Sequence, residues 1–182
     1  YNRGAVLVDC LRETLQCCAA ELTHVGGWEI IIVDNASSDG TADRVAYELP
    51  QVTLLRLPRN EGPVAKNHAI AQARGELVFF LDDDAYPFPG TLTRMLELFA
   101  RHPKLGAAVC NVTLPDGSQE CSAYPNVCIG AGTGFRKAVL DQVGYLPADF
   151  FMAAEEYDLS FRILRAGYEV TRFEDLPLRH LK

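Results

Sequence analysis

The sequence predicts an α/β domain whose sheet is mostly parallel and doubly wound, with helices on both faces. Three observations predict it. Short apolar runs alternate along the chain with segments of helical periodicity. The connections between them are short, as strand–helix–strand units require. Carboxylates and amides gather where the apolar runs end, the edge at which open α/β sheets bind ligands.

The elements follow in order. Residues 4–23 place Leu7, Cys10, Leu11, Leu15 and Cys18 on one helical face. Residues 28–33 form an Ile-rich run suited to a buried strand. A polar loop, Asp34-Asn35-Ala36-Ser37-Ser38-Asp39-Gly40, leads to Thr41, a plausible N-cap for a helix reaching about Leu49. Residues 52–57 are a second strand. The turn Arg59-Asn60-Glu61-Gly62 precedes Pro63, which suits the first position of a helix ending near Arg74-Gly75. Residues 76–81 are a third strand, apolar on both faces. Residues 82–89 read as a loop, 90–102 as a helix stopped by Pro103, and 105–112 as a fourth strand. Residues 115–134 are rich in Gly and Pro and read as an irregular β-turn excursion. Short helices at 136–143 and 155–166 and a last strand at 168–173 complete the chain.

A chain of 182 residues, nearly half of them apolar, suits one globular domain over 1–182. A net charge of −7 makes the chain a poor candidate for binding nucleic acid, whose phosphates require a basic face. A phosphorylated ligand would therefore need a metal ion to neutralise it. The six cysteines form no C-x-x-C pair and read as buried free thiols of a reducing compartment. No apolar run reaches the roughly 18 residues of a transmembrane helix, and no leader peptide is visible. The expected location is cytoplasmic, or peripheral at the inner membrane surface. The chain opens at Tyr1-Asn2-Arg3 without an initiator methionine, as a fragment would.

Asp82-Asp83-Asp84 is the sharpest feature. Two carboxylates about 4 Å apart repel by roughly 4 kcal/mol at an effective dielectric near 20. After an apolar strand, such a cluster needs a counter-charge. Magnesium or manganese would supply one and keep open positions for phosphate oxygens. The plainer reading is a solvated turn in which Asp82 caps the next helix. Asp34 and Asn60 on the same sheet edge favour the metal reading.

Glu155-Glu156-Tyr157-Asp158 opens a helix, where acidic residues are favourable against the dipole. Asp158 and Arg162 could form a simple i,i+4 ion pair. The preceding Phe150-Phe151-Met152-Ala153-Ala154 is apolar, and such surroundings raise a carboxyl pKa into the range of a general base. Gly130-Ala131-Gly132-Thr133-Gly134 lacks the context of a dinucleotide loop and suits close backbone approach near a site. His68 reads as a structural histidine, and His180 as either a terminal loop residue or a site residue.

In this order, the stretches resemble the inverting family-2 glycosyltransferases, which have a GT-A fold. They are Tyr1-Asn2-Arg3, Val33 to Thr41, Asn60-Glu61-Gly62 with Asn67, Arg74-Gly75-Glu76, Phe80 to Asp84, Gly132 to Arg136, and Glu155 to Leu159 with Arg162. The resemblance implies a nucleotide-binding half over 1–113 and an acceptor and catalytic half over 114–182. It implies that Asn2, Arg3, Asp34, Asn60, Gly62, Asn67, Asp82 and Asp83 line the nucleotide site. Asp84, Asp82 and His180 would serve Mg2+ or Mn2+. The family usually has Glu-Asp where this chain has Glu155-Glu156, so Glu156, Glu155 and Asp158 all stand as candidates for the base. The implied reaction moves a sugar from a UDP-, dTDP- or GDP-sugar to a carbohydrate or lipid-linked acceptor hydroxyl, with inversion. The family's apolar strand before Tyr-Asn-Arg is missing here. A fragment, an oligomer or a partner covering the exposed face is therefore expected. The competing readings are a catalytically silent nucleotide-binding homologue and an aspartate-dependent phosphohydrolase.

Overall fold

The computed structural model describes residues 1–120, 122, 124–149 and 154–182. The helices are α1 (Gly4–Glu21), α2 (Thr41–Glu48), α3 (Lys66–Gln72, entered through a 3-10 turn at Gly62–Ala65), α4 (Thr91–Arg101), α5 (Lys137–Val143) and α6 (Glu155–Arg165). The strands are β1 (Ile31–Asp34), β2 (Thr53–Arg56), β3 (Leu77–Leu81), β4 (Ala85–Pro87), β5 (Leu105–Thr113), β6 (Gln119–Glu120), β7 (Gly132–Arg136) and β8 (Glu169–His180).

The strands form two sheets. β1 and β2 pair in parallel, with Asp34 opposite Arg56. The larger sheet runs β3-β7-β5-β8-β4, and β6 pairs with β5. This sheet is mixed, which corrects the mostly parallel expectation. β7 lies antiparallel between β3 and β5, and β4 lies antiparallel to β8. Among the described residues, only β5 and β8 pair in parallel there. The glycines of β7 allow the insertion: a Cβ at Gly132 would come 2.7 Å from Leu178, and one at Gly134 would strike Met95.

Two further expectations change. Residues 82–89 contain the short strand β4, because Ala85–Pro87 finds a partner in residues 178–180. Thr41 is the first helical residue of α2, not its N-cap. Gly40 takes that position at φ +82, and Asp39 accepts from both the amide and the hydroxyl of Thr41.

The larger core joins both faces of the mixed sheet, with Phe80, Val109, Phe135, Leu140, Leu159 and Ile163 on one side and Met95, Leu98, Phe99, Val112, Leu176 and Leu178 on the other. A smaller cluster of Val8, Leu11, Val45 and Leu49 holds α1 and α2 over β1 and β2. Among the described residues, β1 and β3 share no pairing. A continuous cavity of about 1520 Å³ runs between them, lined by Ile31 to Val33, Leu77 to Leu81, Leu11 and Ile70. That exceeds the ~300–1,000 Å³ of an ordinary ligand pocket, because an apolar slot between the sheets continues into the polar cleft at their carboxyl ends. Cys10, Cys17, Cys18, Cys110 and Cys128 are buried and free, and Cys121 lies outside the described residues. Burial pushes the Cys10 and Cys18 thiols up to about 11 and those of Cys110 and Cys128 to about 12, so none is a nucleophile at neutral pH.

Candidate active site

The carboxyl ends of β1, β3 and β8 meet at one cleft. Asp34 closes β1; it is 7% exposed, and its Oδ2 accepts from the Ser37 amide at 3.2 Å. Asn35 fastens this loop to the next one. Its Nδ2 donates to Gly62 O at 3.0 Å, and its Oδ1 accepts from the Glu61 amide at 2.7 Å. Asn60 Oδ1 accepts from the Gly62 amide at 2.9 Å and shapes the turn. Asn2 ties the chain start to the same loop, donating its amide to Ser37 Oγ and accepting from the Ser38 amide at 2.9 Å. Among the described residues, three non-glycine residues hold positive φ: Asn2 (+57), Ala36 (+63) and Ala154 (+75). All three flank the cleft, where backbone strain is typically stored.

The aspartate cluster follows β3. Lys66 Nζ donates to Asp82 Oδ1 at 2.7 Å and to Gly130 O at 3.2 Å. Burial pushes the Asp82 carboxyl up, but Lys66, with smaller contributions from His180 and Lys182, outweighs it and holds Asp82 below the usual carboxylate range. Asp83 pairs with the Tyr1 ammonium at 3.3 Å and with Arg3 at 3.2 Å. Asp84 is 2% exposed, and its Oδ1 lies 3.0 Å from His180 Nε2. Its Oδ2 has no hydrogen-bond partner among the described residues; Arg3 Nη1 approaches at 2.8 Å but off the donor axis, so that contact is Coulombic. Lys66 and Arg3 thus supply the counter-charge that a triple aspartate demands.

No group of three or more metal-binding side chains stands together among the described residues. A hard divalent ion that shares its coordination with donor phosphates and waters needs only one or two protein carboxylates. Asp84, with a buried oxygen lacking a hydrogen bond, fits such an ion, and His180 beside it offers a nitrogen.

The opposite wall is the first turn of α6. Glu155 is 4% exposed, and its Oε2 has no partner among the described residues. Burial and the neighbouring Glu155 hold the Glu156 carboxyl above its ordinary range. Phe150 to Ala153, expected to supply the apolar surroundings, lie outside the described residues. A Cβ at Gly130 would come 3.0 Å from Glu156 Oε1, 3.3 Å from Lys66 Nζ and 3.6 Å from Asp82 Oδ1. Gly130 is therefore the point of close approach between the aspartate cluster and the α6 carboxylates. Asp158 turns away and pairs with Arg162 at 2.7 Å. That is the helix-face ion pair, and it removes Asp158 from the candidates for the base.

Arg3, Asp34, Gly62, Asp82, Asp83, Asp84, Glu155, Glu156 and His180 line one cleft. Four expected residues do not. Asn2 and Asn60 shape loops behind it, and Asp158 faces Arg162. Asn67 donates to Leu146 O at 2.8 Å and accepts from the Leu146 amide, so its polar capacity serves the fold. His68 lies outside as well, bonded to Glu61. Lys66, Asn35 and Glu120 were not singled out by sequence. Asn35 stood in a quoted stretch, Lys66 lay one residue before the quoted Asn67, and Glu120 carried no signal. Its Oε2 meets His180 Nδ1 at 2.5 Å, and Lys182 bonds its other oxygen.

The family profile for glycosyl transferase family 2 matches residues 1–153. The chain belongs to glycosyl transferase family 2. The poly-beta-1,6-N-acetyl-D-glucosamine synthase of Staphylococcus epidermidis is 29% identical over 93% of this chain, and the chain spans 45% of that protein. Among solved structures, the mannosyltransferase PcManGT from Pyrobaculum calidifontis, in complex with GDP-Man and Mn2+, matches with a TM-score of 0.75 at 23% identity. That match covers 99% of this chain and 54% of the other. TarS 1-349 of S. aureus in complex with UDP matches with a TM-score of 0.73 at 20% identity, over 100% and 58% of the two chains. These likenesses give this family-2 chain the GT-A fold. No helix of its described residues is long and apolar enough to cross a membrane.

Proposed function

We propose that the chain is the donor-binding and catalytic part of a metal-dependent inverting transferase, which moves a sugar from a nucleoside-diphosphate sugar to an acceptor hydroxyl in polysaccharide or glycoconjugate synthesis. One observation carries the reading. Asp82, Lys66 and Glu156 converge on the side-chain-free face of Gly130, so a phosphate-handling cluster and a basic carboxylate border one gap. PcManGT, with its GDP-Man and Mn2+, and the synthase of S. epidermidis support the substrate class by likeness.

In this reading the Asp34 loop and Gly62 receive the nucleoside. Asp84, with Asp82 and His180, would hold Mg2+ or Mn2+, which supplies charge stabilisation for the departing diphosphate. Glu156 takes the proton from the acceptor hydroxyl as its oxygen attacks the anomeric carbon opposite the leaving group. The raised carboxyl of Glu156 suits that transfer better than an ordinary glutamate would. No covalent enzyme intermediate is needed. The slot between β1 and β3 is lined by apolar side chains of both strands, and one further apolar strand placed there would complete the sheet.

Calorimetric titration with UDP, GDP and dTDP, with and without Mn2+, tests the reading. Metal-dependent binding that Asp84→Ala abolishes supports it. Failure of all three nucleotides to bind, on a chain whose slot has been filled by an added N-terminal strand, overturns it.

A further inference from the structure

The inference concerns Glu120 and rests on the metal-dependent reading above. The pairing of strands delivers this residue to the site. Val112 of β5 lies opposite Glu120 on one side and Leu178 of β8 on the other. His180 comes two residues after Leu178 and shares its face of the sheet, because strand side chains alternate. The same register sets His180 opposite Ala85, next to Asp84. An imidazole that is 3% exposed is thus held between two carboxylates. Nδ1 is 2.5 Å from Glu120 Oε2, and Nε2 is 3.0 Å from Asp84 Oδ1.

A neutral imidazole donates through only one nitrogen. The other nitrogen then turns a lone pair toward a carboxylate oxygen, an arrangement that is repulsive unless a cation binds both atoms or the ring takes up a second hydrogen. Nδ1 makes the shorter contact, which favours the tautomer with its hydrogen toward Glu120. Nε2 and Asp84 Oδ1 then converge as two metal-donor atoms. Asp84 supplies the second, independent sign, since its other oxygen is buried without a hydrogen bond. Carboxylates that bind the far nitrogen of a metal-ligating histidine fix its tautomer and ring orientation.

We propose that Glu120 is the positioning residue of this metal site: it accepts the Nδ1 hydrogen of His180 and so presents Nε2, together with Asp84, to a divalent cation. Lys182, bonded to the other oxygen of Glu120, keeps that carboxylate aimed. A ring carrying both hydrogens would satisfy both carboxylates and hold no metal.

The test is Mn2+ affinity in the presence of UDP, read by electron paramagnetic resonance and therefore independent of turnover. Glu120→Leu is expected to weaken Mn2+ binding about 10- to 100-fold. Glu120→Gln, which keeps an acceptor at Nδ1, should weaken it less. His180→Ala should weaken it at least as much as Glu120→Leu, and the double variant should be no worse than His180→Ala alone. Loss in His180→Ala with full affinity in Glu120→Leu overturns the inference and leaves the parent reading intact. Wild-type protein that binds no Mn2+ with UDP, on the chain with its slot filled, sinks both. A 15N spectrum of the His180 ring in the Mg2+- and UDP-loaded wild type guards against a variant that fails to fold. A hydrogen on Nδ1 alone is the expected result; one on Nε2, or on both nitrogens, overturns the proposal.

Discussion

Lys66 Nζ lies 2.7 Å from Asp82 Oδ1 and 3.2 Å from the carbonyl of Gly130, so one cation of α3 ties the aspartate loop after β3 to the segment leading into β7. Removing it leaves Asp82 to bear its burial and its acidic neighbours alone. Lys66 holds the folded carboxyl below its unfolded value near 3.9, so the stabilisation is present above that value and fades as pH falls through the folded one. Lys66→Met should therefore destabilise the metal-free protein at pH 7. Solvent screens this part-exposed pair and limits the loss to under about 1 kcal/mol. Urea melts at pH 7 and pH 3 check it; a gap that stays constant between the two would contradict the electrostatic account.

Gly130→Ala separates the site from the fold. The added methyl meets the far ends of two flexible side chains, Glu156 and Lys66, at 3.0 and 3.3 Å. Both can shift by a few tenths of an ångström, so the melting temperature should move little. In the proposed reading the gap in which Glu156 would meet the acceptor narrows, and misplacement on the ångström scale can cost about 100-fold in rate. A drop of at least roughly tenfold in transfer, with unchanged UDP binding, is expected. Turnover at the wild-type rate would remove Gly130 from the site.

The sequence carried most of this architecture, and its gaps have physical causes. α1, α4, α6 and the strand at 77–81 were legible because burial imposes a period on their side chains. β7 was not, because Gly132-Thr133-Gly134 has no strand propensity of its own. It is a strand because both its edges pair, with β3 and with β5, and its glycines fit there because Met95, Leu178 and Cys110 occupy the space that side chains would need. That antiparallel insertion is also why the inference of a mostly parallel sheet failed. Asp34, Asp82 to Asp84 and Glu156 were legible as carboxylates at element ends. Asn67 was misplaced because its helical position alone does not reveal that Leu146 consumes its amide. Glu120 depends on the register of β5 with β6, which lies outside any local pattern.

Glu156→Gln should stabilise the protein while disabling it. Burial and Glu155 raise the folded carboxyl above its unfolded value near 4.3. A raised carboxyl favours the fold below the unfolded value and loses that contribution as pH rises through the folded one. At pH 7 the ionised Glu156 therefore costs stability, and a neutral amide relieves the cost. One kcal/mol moves the melting temperature of a domain this size by about 2–4 °C, so a rise of about 1–3 °C at pH 7 is expected, with none at pH 4. Transfer should fall by about 100- to 10,000-fold, as for loss of a general base. A variant that melts higher yet keeps its rate would move the base to Glu155.

Arg162 sets where α6 points, and with it the position of Glu156. Its guanidinium donates to the carbonyls of Val143, Gly144 and Tyr145 at 2.6–2.7 Å and to Asp158 at 2.7 Å. These contacts close the end of α5 onto α6, about two turns from Glu155 and Glu156. A lysine keeps the charge but not the planar fork, and cannot reach three carbonyls and a carboxylate together. Charge-assisted hydrogen bonds contribute about 1.5–3 kcal/mol each, and the lysine would recover some of them, so Arg162→Lys should cost roughly 2–3 kcal/mol in denaturant titration. Transfer should fall more steeply than UDP binding if Glu156 of α6 is the base, as proposed, because the Asp34 loop and Gly62, proposed to receive the nucleoside, lie on separate elements. An equal loss in both would mean that Arg162 supports the whole fold and not the seating of α6.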